Sequence, residues 1–205
     1  MNDRFPEGFF RRDDPAPDPD FYRHPRFVTH IDKGAITAVG ALYAELDVRG
    51  RVLDLMGSWV SHFEEAPAEL TVLGLNDDEL AANRQATTWM VHDLNEDPKL
   101  PFADAIFDAV VCCVSVDYLV RPIEVFAEVA RVVRPEGVFV CTFSNRMFPT
   151  KAISGWMEST EEQHSEIVIT YFRAAGGWSE PTAQRRTPPR RRGDPLDAVW
   201  ASRRG

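Results

Sequence analysis

Between Arg51 and Phe143, short apolar runs alternate with helix-like patterns, and that alternation leaves few folds open. Arg51–Leu55, Thr71–Leu75, Thr88–His92, Phe107–Val114 and Val138–Phe143 read as strands. Between them, Ser61–Glu65 reads as a short helical turn stopped near Pro67, and Asp77–Asn83 as a short helix. Ile123–Val133 reads as a longer helix with Ile123, Phe126, Ala127, Ala130 and Val133 on one face, followed by a turn at Arg134–Gly137. Strands that are apolar along their whole length must be buried on both faces, which predicts an α/β protein with a mostly parallel sheet covered by helices. Beyond it, Phe148–Gly177 reads as helical and stops at Gly176-Gly177. Thr182–Thr187 and Leu196–Ser202 then form a terminal antiparallel hairpin.

The 205 residues suit one well-buried unit with tails. Residues 1–20, rich in Asp and Pro, are expected to be a flexible arm. Residues 21–49 read as an N-terminal lid and helix: Asp32 is placed to cap a helix carrying Ala35, Ile36, Val39, Leu42, Tyr43 and Leu46 at three- and four-residue steps. Residues 50–205 form the sheet core, and 21–205 one domain. No apolar run approaches the roughly 20 residues of a membrane span, and the N-terminus lacks a basic-then-apolar leader pattern, so a cytoplasmic location is expected. Cys112, Cys113 and Cys141 sit in apolar runs without metal-type spacing, predicting buried free thiols and no metal. A net charge of −9 argues against broad nucleic-acid affinity. Seven arginines lie beyond Pro181, including Arg190, Arg191 and Arg192; a solvated turn is the plain reading and a patch for RNA or an acidic partner the other.

The segment Arg51–His62, RVLDLMGSWVSH, is a buried strand ending in a carboxylate, followed by a turn with a single glycine. A strand, a glycine-rich turn and a helix make a nucleotide-binding arrangement. Together with Leu100–Pro122 (LPFADAIFDAVVCCVSVDYLVRP) and Phe126–Asn145 (FAEVARVVRPEGVFVCTFSN), it resembles the class I S-adenosylmethionine-dependent methyltransferases, particularly the type 11 group, over about 50–202. The resemblance implies a Rossmann-like three-layer sandwich whose seven-stranded sheet ends in an antiparallel strand.

It also implies a set of cofactor residues. Where the family has a GxGxG turn, this chain has Met56, Ser58 and Val60, with Gly57 offset by one. Either the loop takes another path, with Ser58 and backbone N–H groups near a helix start serving the ligand carboxylate, or Met56 and Trp59 fill the pocket. Asp54 stands at the methionine end, with capping of the next turn as its structural role. Asn76 stands where the family carries a ribose-binding acid; Asp77 could substitute, although it also suits the helix N-cap. Asp93 corresponds to the acid facing the adenine amino group, with the Leu94 N–H beside it, Asn95 or Glu96 nearby, and Val114 under the cofactor.

The implied function is methyl transfer from S-adenosylmethionine to a small, apolar or aromatic acceptor. The alternative is a methyltransferase-like fold with lost or altered catalysis, acting as a binding or scaffold module. No catalytic residue is obligatory for an in-line displacement; a base is needed only if the acceptor is protonated. His30, Tyr22 and Asp117 are the candidates, with His62 further off; Tyr118, Asn145 and Arg146 are candidates for holding the acceptor. Each has a plainer structural reading.

Overall fold

The computed structural model describes residues 5–187 and 193–205. Seven strands form one sheet in the order β3-β2-β1-β4-β5-β7-β6. β1 (Arg51–Leu55), β2 (Glu69–Gly74), β3 (Thr88–Val91), β4 (Phe107–Cys113) and β5 (Val133–Phe143) run parallel. β7 (Asp197–Ser202) is antiparallel to both β5 and β6 (Thr182–Arg185), so it alone runs against the rest. The sheet is therefore Rossmann-like, as the resemblance implied.

Both faces are covered because neighbouring residues of each strand point to opposite sides. Leu53 and Leu55, Val110 and Cys112, and Phe139, Cys141 and Phe143 join one cluster under α4 (Pro122–Val132) and α6 (Glu161–Ala175). Val52, Ala109, Val111 and Val140 join another, under α2 (Lys33–Glu45) and α3 (Asp77–Ala81). Asp32 caps α2, its Oδ1 accepting from the Ala35 N–H at 2.9 Å. α6 starts with a capping box between Thr160 and Gln163. Two short helices, α1 (Asp18–Phe21) and α5 (Ser154–Met157), complete the set.

Three expectations about elements need correction. Ser61–Glu65 is not helical: residues 56–68 cross from β1 to β2 without a helix. Side chains from beyond α3 hold this crossover instead. Asn83 Nδ2 donates to Ser58 O and to Ser61 Oγ, and Gln85 bonds both the N–H and C=O of Phe63. The turn at Arg134–Gly137 is a bulge inside β5: Val133 pairs with Phe107 and Val138 already pairs with Ala109. Phe148–Gly177 is two helices, with the chain from Phe148 to Ile153 non-helical.

Residues 5–20 are packed rather than free. The Phe5, Phe9 and Phe10 rings cluster with one another, and Phe5 and Phe10 reach Tyr171. Main-chain bonds join Gly155 N to Phe9 O, Ser154 N to Arg11 O and Asp14 N to Thr150 O. Hydropathy missed this because the segment's charges are paired internally. Arg12 donates to both carboxylate oxygens of buried Asp18, and the fully buried Lys151 ammonium lies 3.1 Å from Asp14 and 3.2 Å from Asp18. Burial pushes the Asp18 carboxyl up, but Arg12, Asn95 and Lys151 bring it net below its ordinary value. The arginines Arg190–Arg192, read as a solvated turn or a binding patch, lie outside the described residues.

Candidate functional site

A cavity of about 270 Å³ opens at the carboxyl ends of β1, β2 and β4, with residues 18–30 as its far wall. The carboxyl edge of a parallel sheet is where open α/β folds bind ligands. The volume lies just below the roughly 300–1,000 Å³ usual for ligand pockets.

At β1, Asp54 is 2% exposed and lines the cavity. Burial pushes its carboxyl up to about 7, against the opposing hydrogen bond from the Ser61 hydroxyl. No cation pairs with it among the described residues, so it is a buried acid lacking a countercharge at the cavity wall. Met56 follows at φ 56°, in the left-handed region that glycine tolerates and other residues enter at a cost of about 1–2 kcal/mol. Its side chain packs against the cluster under α4 and α6. The loop therefore keeps a glycine-like bend without a glycine. Gly57 has a different duty. Its N–H bonds Leu73 O at 2.9 Å, and a Cβ there would come 2.6 Å from Val72 Cγ1 and 2.9 Å from Asp54 Oδ2. Gly57 is the point at which the turn presses onto β2.

Left-handed backbone recurs around the cavity, at His62 (φ 58°) and Val114 (φ 46°). For a β-branched valine this is a genuine outlier, and such strain persists only where surrounding structure enforces it. No helix follows β1, so this loop brings no helix N-terminus to a ligand carboxylate, contrary to one reading of the sequence.

At β2, Asn76 caps α3 through Oδ1, which accepts from the Glu79 N–H at 3.1 Å. Its Nδ2 donates to the carbonyls of Tyr22 and Arg23, so the amide is committed to the protein on both sides. Asp77 is neither the N-cap nor a cavity residue; it accepts from Trp89 Nε1 at 3.0 Å. The carboxylate that does line this part of the wall is Glu79, 7% exposed. It accepts from the Ser58 hydroxyl at 2.5 Å and the Arg26 N–H at 2.6 Å. Sequence reasoning missed it because Glu79 falls inside the helix read over Asp77–Asn83, away from the strand end where a ribose-binding acid is expected.

After β3, Asp93 and Leu94 line the cavity as expected. Asp93 Oδ1 accepts from the Asn95 N–H at 2.9 Å. The Asn95 side chain fixes the loop: it donates to Asp18 Oδ2 and Tyr118 O and accepts from the Val120 N–H. Val114 and Ser115 close the floor after β4.

On the far wall, Tyr22, His30, Tyr118 and Arg146 all line the cavity. Burial pushes the Tyr22 and Tyr118 phenols well up, and lowers His30, which is also near Glu79 and Arg26. The His30 ring meets Phe148 edge-on at 5.2 Å. Two candidates fall away. Asp117 is 3% exposed and absent from the cavity wall; burial pushes its carboxyl up to about 8, and Oδ2 has no partner. Asn145 faces Glu161 outside the cavity, because β5 ends at Phe143 and the chain turns outward before Arg146. Among the described residues no group of three or more metal-binding side chains occurs, and no helix is long and apolar enough to cross a membrane.

This sheet order, with a cavity at the carboxyl ends of its central strands, is the architecture of class I methyltransferases. Residues 55–141 match the model of the Methyltransf_11 family, a methyltransferase domain. No curated protein sequence matches the chain. Among solved structures, 1,6-didemethyltoxoflavin-N1-methyltransferase from Burkholderia thailandensis, with bound 1,6-didemethyltoxoflavin and S-adenosylhomocysteine, aligns at TM-score 0.61 and 18% identity, over 85% of this chain and 80% of that one. A chain of the complex between the Trm112 methyltransferase activator and a methyltransferase from Haloferax volcanii aligns at 0.59 and 18%, over 85% and 92%. The [4+2]-cyclase SpnF aligns at 0.61 and 15%, over 91% of each chain. At these identities the likeness is one of fold.

Proposed function

We propose that the protein binds S-adenosylmethionine in this cavity and transfers its methyl group to a small acceptor. The observation that carries the reading is the pairing of Asp54 and Asp93 on one cavity wall, at the ends of β1 and β3, with the bend at Met56 preserved in left-handed form. The residues fit such a ligand at two of its three parts. Asp54, a buried acid without a countercharge, suits the methionine ammonium; Asp93 and the Leu94 N–H suit the adenine edge. The ribose is served differently, since Asn76 is engaged by Tyr22 and Arg23 and Glu79 is the acid within the wall.

When bound, the cofactor supplies an electrophilic methyl carbon on a positively charged sulfur. The chain's work is to orient and to exclude water, which supplies much of the rate in a displacement between two held reactants. Where the acceptor carries a proton, His30 is the group suited to take it: burial keeps its imidazole neutral, whereas Tyr22 stays protonated. A His30→Gln variant should lower kcat and leave cofactor affinity unchanged. A second reading, a binding module without catalysis, is supported by Asn76's engagement and the small cavity. S-adenosylhomocysteine binding without turnover on any acceptor would favour it. The test of the main reading is calorimetric binding of S-adenosylmethionine, followed by methyl release.

A further inference from the structure

Three permanent cations line the cavity, and two have carboxylate partners among the described residues. Arg146 Nε donates to Asp194 at 2.8 Å, and Lys151 lies beside Asp14 and Asp18. The third, Arg26, pairs with no carboxylate through its side chain. Its guanidinium instead stacks on aromatic rings, with Cζ 4.7 Å from the Phe21 centroid, 5.4 Å from Phe148 and 5.5 Å from Tyr22. Nη2 donates to Phe21 O at 2.9 Å, while Nη1 is screened from solvent without any partner. A guanidinium held on ring faces with a free N–H edge is prepared for an oxyanion, because arginine stays charged at any working pH. The Glu79 carboxylate holds its main-chain N–H, not its side chain.

The balance of charge points the same way. If the cavity holds a sulfonium cofactor, as proposed above, Asp54 answers the ammonium, and Glu79, held by two neutral donors, the Ser58 hydroxyl and the Arg26 main chain, stays a carboxylate in the wall. The Arg26 guanidinium still has no carboxylate on its side chain among the described residues, so an anionic acceptor meets a cation that is not already paired. We propose that the acceptor is a small carboxylic acid with a flat apolar body, its carboxylate taken by Arg26 and its body lying against Phe148 and Tyr22. The inference rests on the cofactor reading for its charge argument, and on Arg26 alone for its geometry.

The experiment titrates benzoate, phenylacetate and cinnamate, each against its neutral amide, into the wild type saturated with S-adenosylhomocysteine, and into Arg26→Gln and Arg26→Lys. The expected result is at least one acid binding about 10-fold or more tighter than its amide. That preference should vanish in Arg26→Gln and survive in part in Arg26→Lys, with S-adenosylhomocysteine affinity unchanged in both. Equal binding of acids and amides, no binding of any acid, or a preference that persists in Arg26→Gln overturns the proposal. The acid-amide comparison needs only the wild type, so a misfolded variant does not spare it. Failure of S-adenosylhomocysteine itself to bind overturns the cofactor reading instead, and the same titrations on the free protein still test Arg26.

Discussion

Replacing Asp54 by asparagine should make the protein more stable and a poorer binder. The buried carboxyl titrates near 7 rather than at its ordinary 3.8 because burial disfavours its charge. Between those two values the folded protein holds a proton that the unfolded chain has released, so stability falls as pH rises through about 4 to 7 and is level above. At about 1.4 kcal/mol per pH unit, the penalty reaches an upper bound of about 4 kcal/mol at pH 8. Asparagine has the same shape and does not titrate. Urea unfolding should therefore show Asp54→Asn gaining on the wild type by about 3 kcal/mol between pH 5 and pH 8. Calorimetry should show it losing a charge-assisted bond to the ligand ammonium worth about 1.5–3 kcal/mol, roughly 10- to 150-fold in S-adenosylhomocysteine affinity. A stabilising change that removes binding marks a group kept for function. A variant that is less stable at pH 8, or a stability gap that does not change with pH, would refute the reasoning about burial. Unchanged affinity would refute the role of Asp54.

Met56→Gly relaxes a left-handed residue and clears a side chain from the cavity wall. Its S-adenosylhomocysteine affinity should rise through the cleared space, read by calorimetry, while the backbone cost of about 1–2 kcal/mol is lifted in free and bound protein alike and appears in unfolding stability instead. Glu79→Gln should weaken the ligand by about 1–2 kcal/mol and leave the secondary structure intact by circular dichroism, whereas Asp77→Asn should have no effect on binding. Gly155→Ala drives a Cβ into the Phe9 ring; it should destabilise by about 1–3 kcal/mol and raise protease sensitivity near residues 9–14. Asp117→Asn removes a buried acid that titrates near 8, so it should raise the thermal midpoint at pH 8 more than at pH 5 while leaving ligand affinity unchanged.

The sheet was legible in the sequence because it is written in long-range apolar pattern. The inner strands follow from residues that have only one way to be buried, and Asp32 as a helix cap and the terminal hairpin were legible too, whereas β3 and β6 lie exposed at the two edges of the sheet. The crossover at 56–68 was not legible, since its conformation is set by Asn83 and Gln85, side chains more than twenty positions away. The arm at 5–20 reads as disordered for a related reason: composition counts its charges, not that Arg12 and Lys151 neutralise Asp14 and Asp18 inside the fold. In the cavity, Asp54, Asp93, Leu94 and Val114 are where strand ends put them. Asn76 takes the capping part expected of Asp77 instead of facing the cavity freely, because the segment at Tyr22 and Arg23 claims its amide, and that contact is invisible to local spacing. Arg26 carried no motif at all.

The proposed activity requires this cavity to hold S-adenosylmethionine or its product. A thermal-shift titration with S-adenosylhomocysteine, backed by calorimetry, tests it directly. For a dissociation constant near 10 μM and about 1 mM ligand, binding adds about 2.7 kcal/mol. For a chain of this length that raises the melting point by about 5–10 °C. The account predicts a shift of that size, one site per chain, and its reduction in Asp54→Asn and Asp93→Asn. No shift and no heat at that concentration would contradict it.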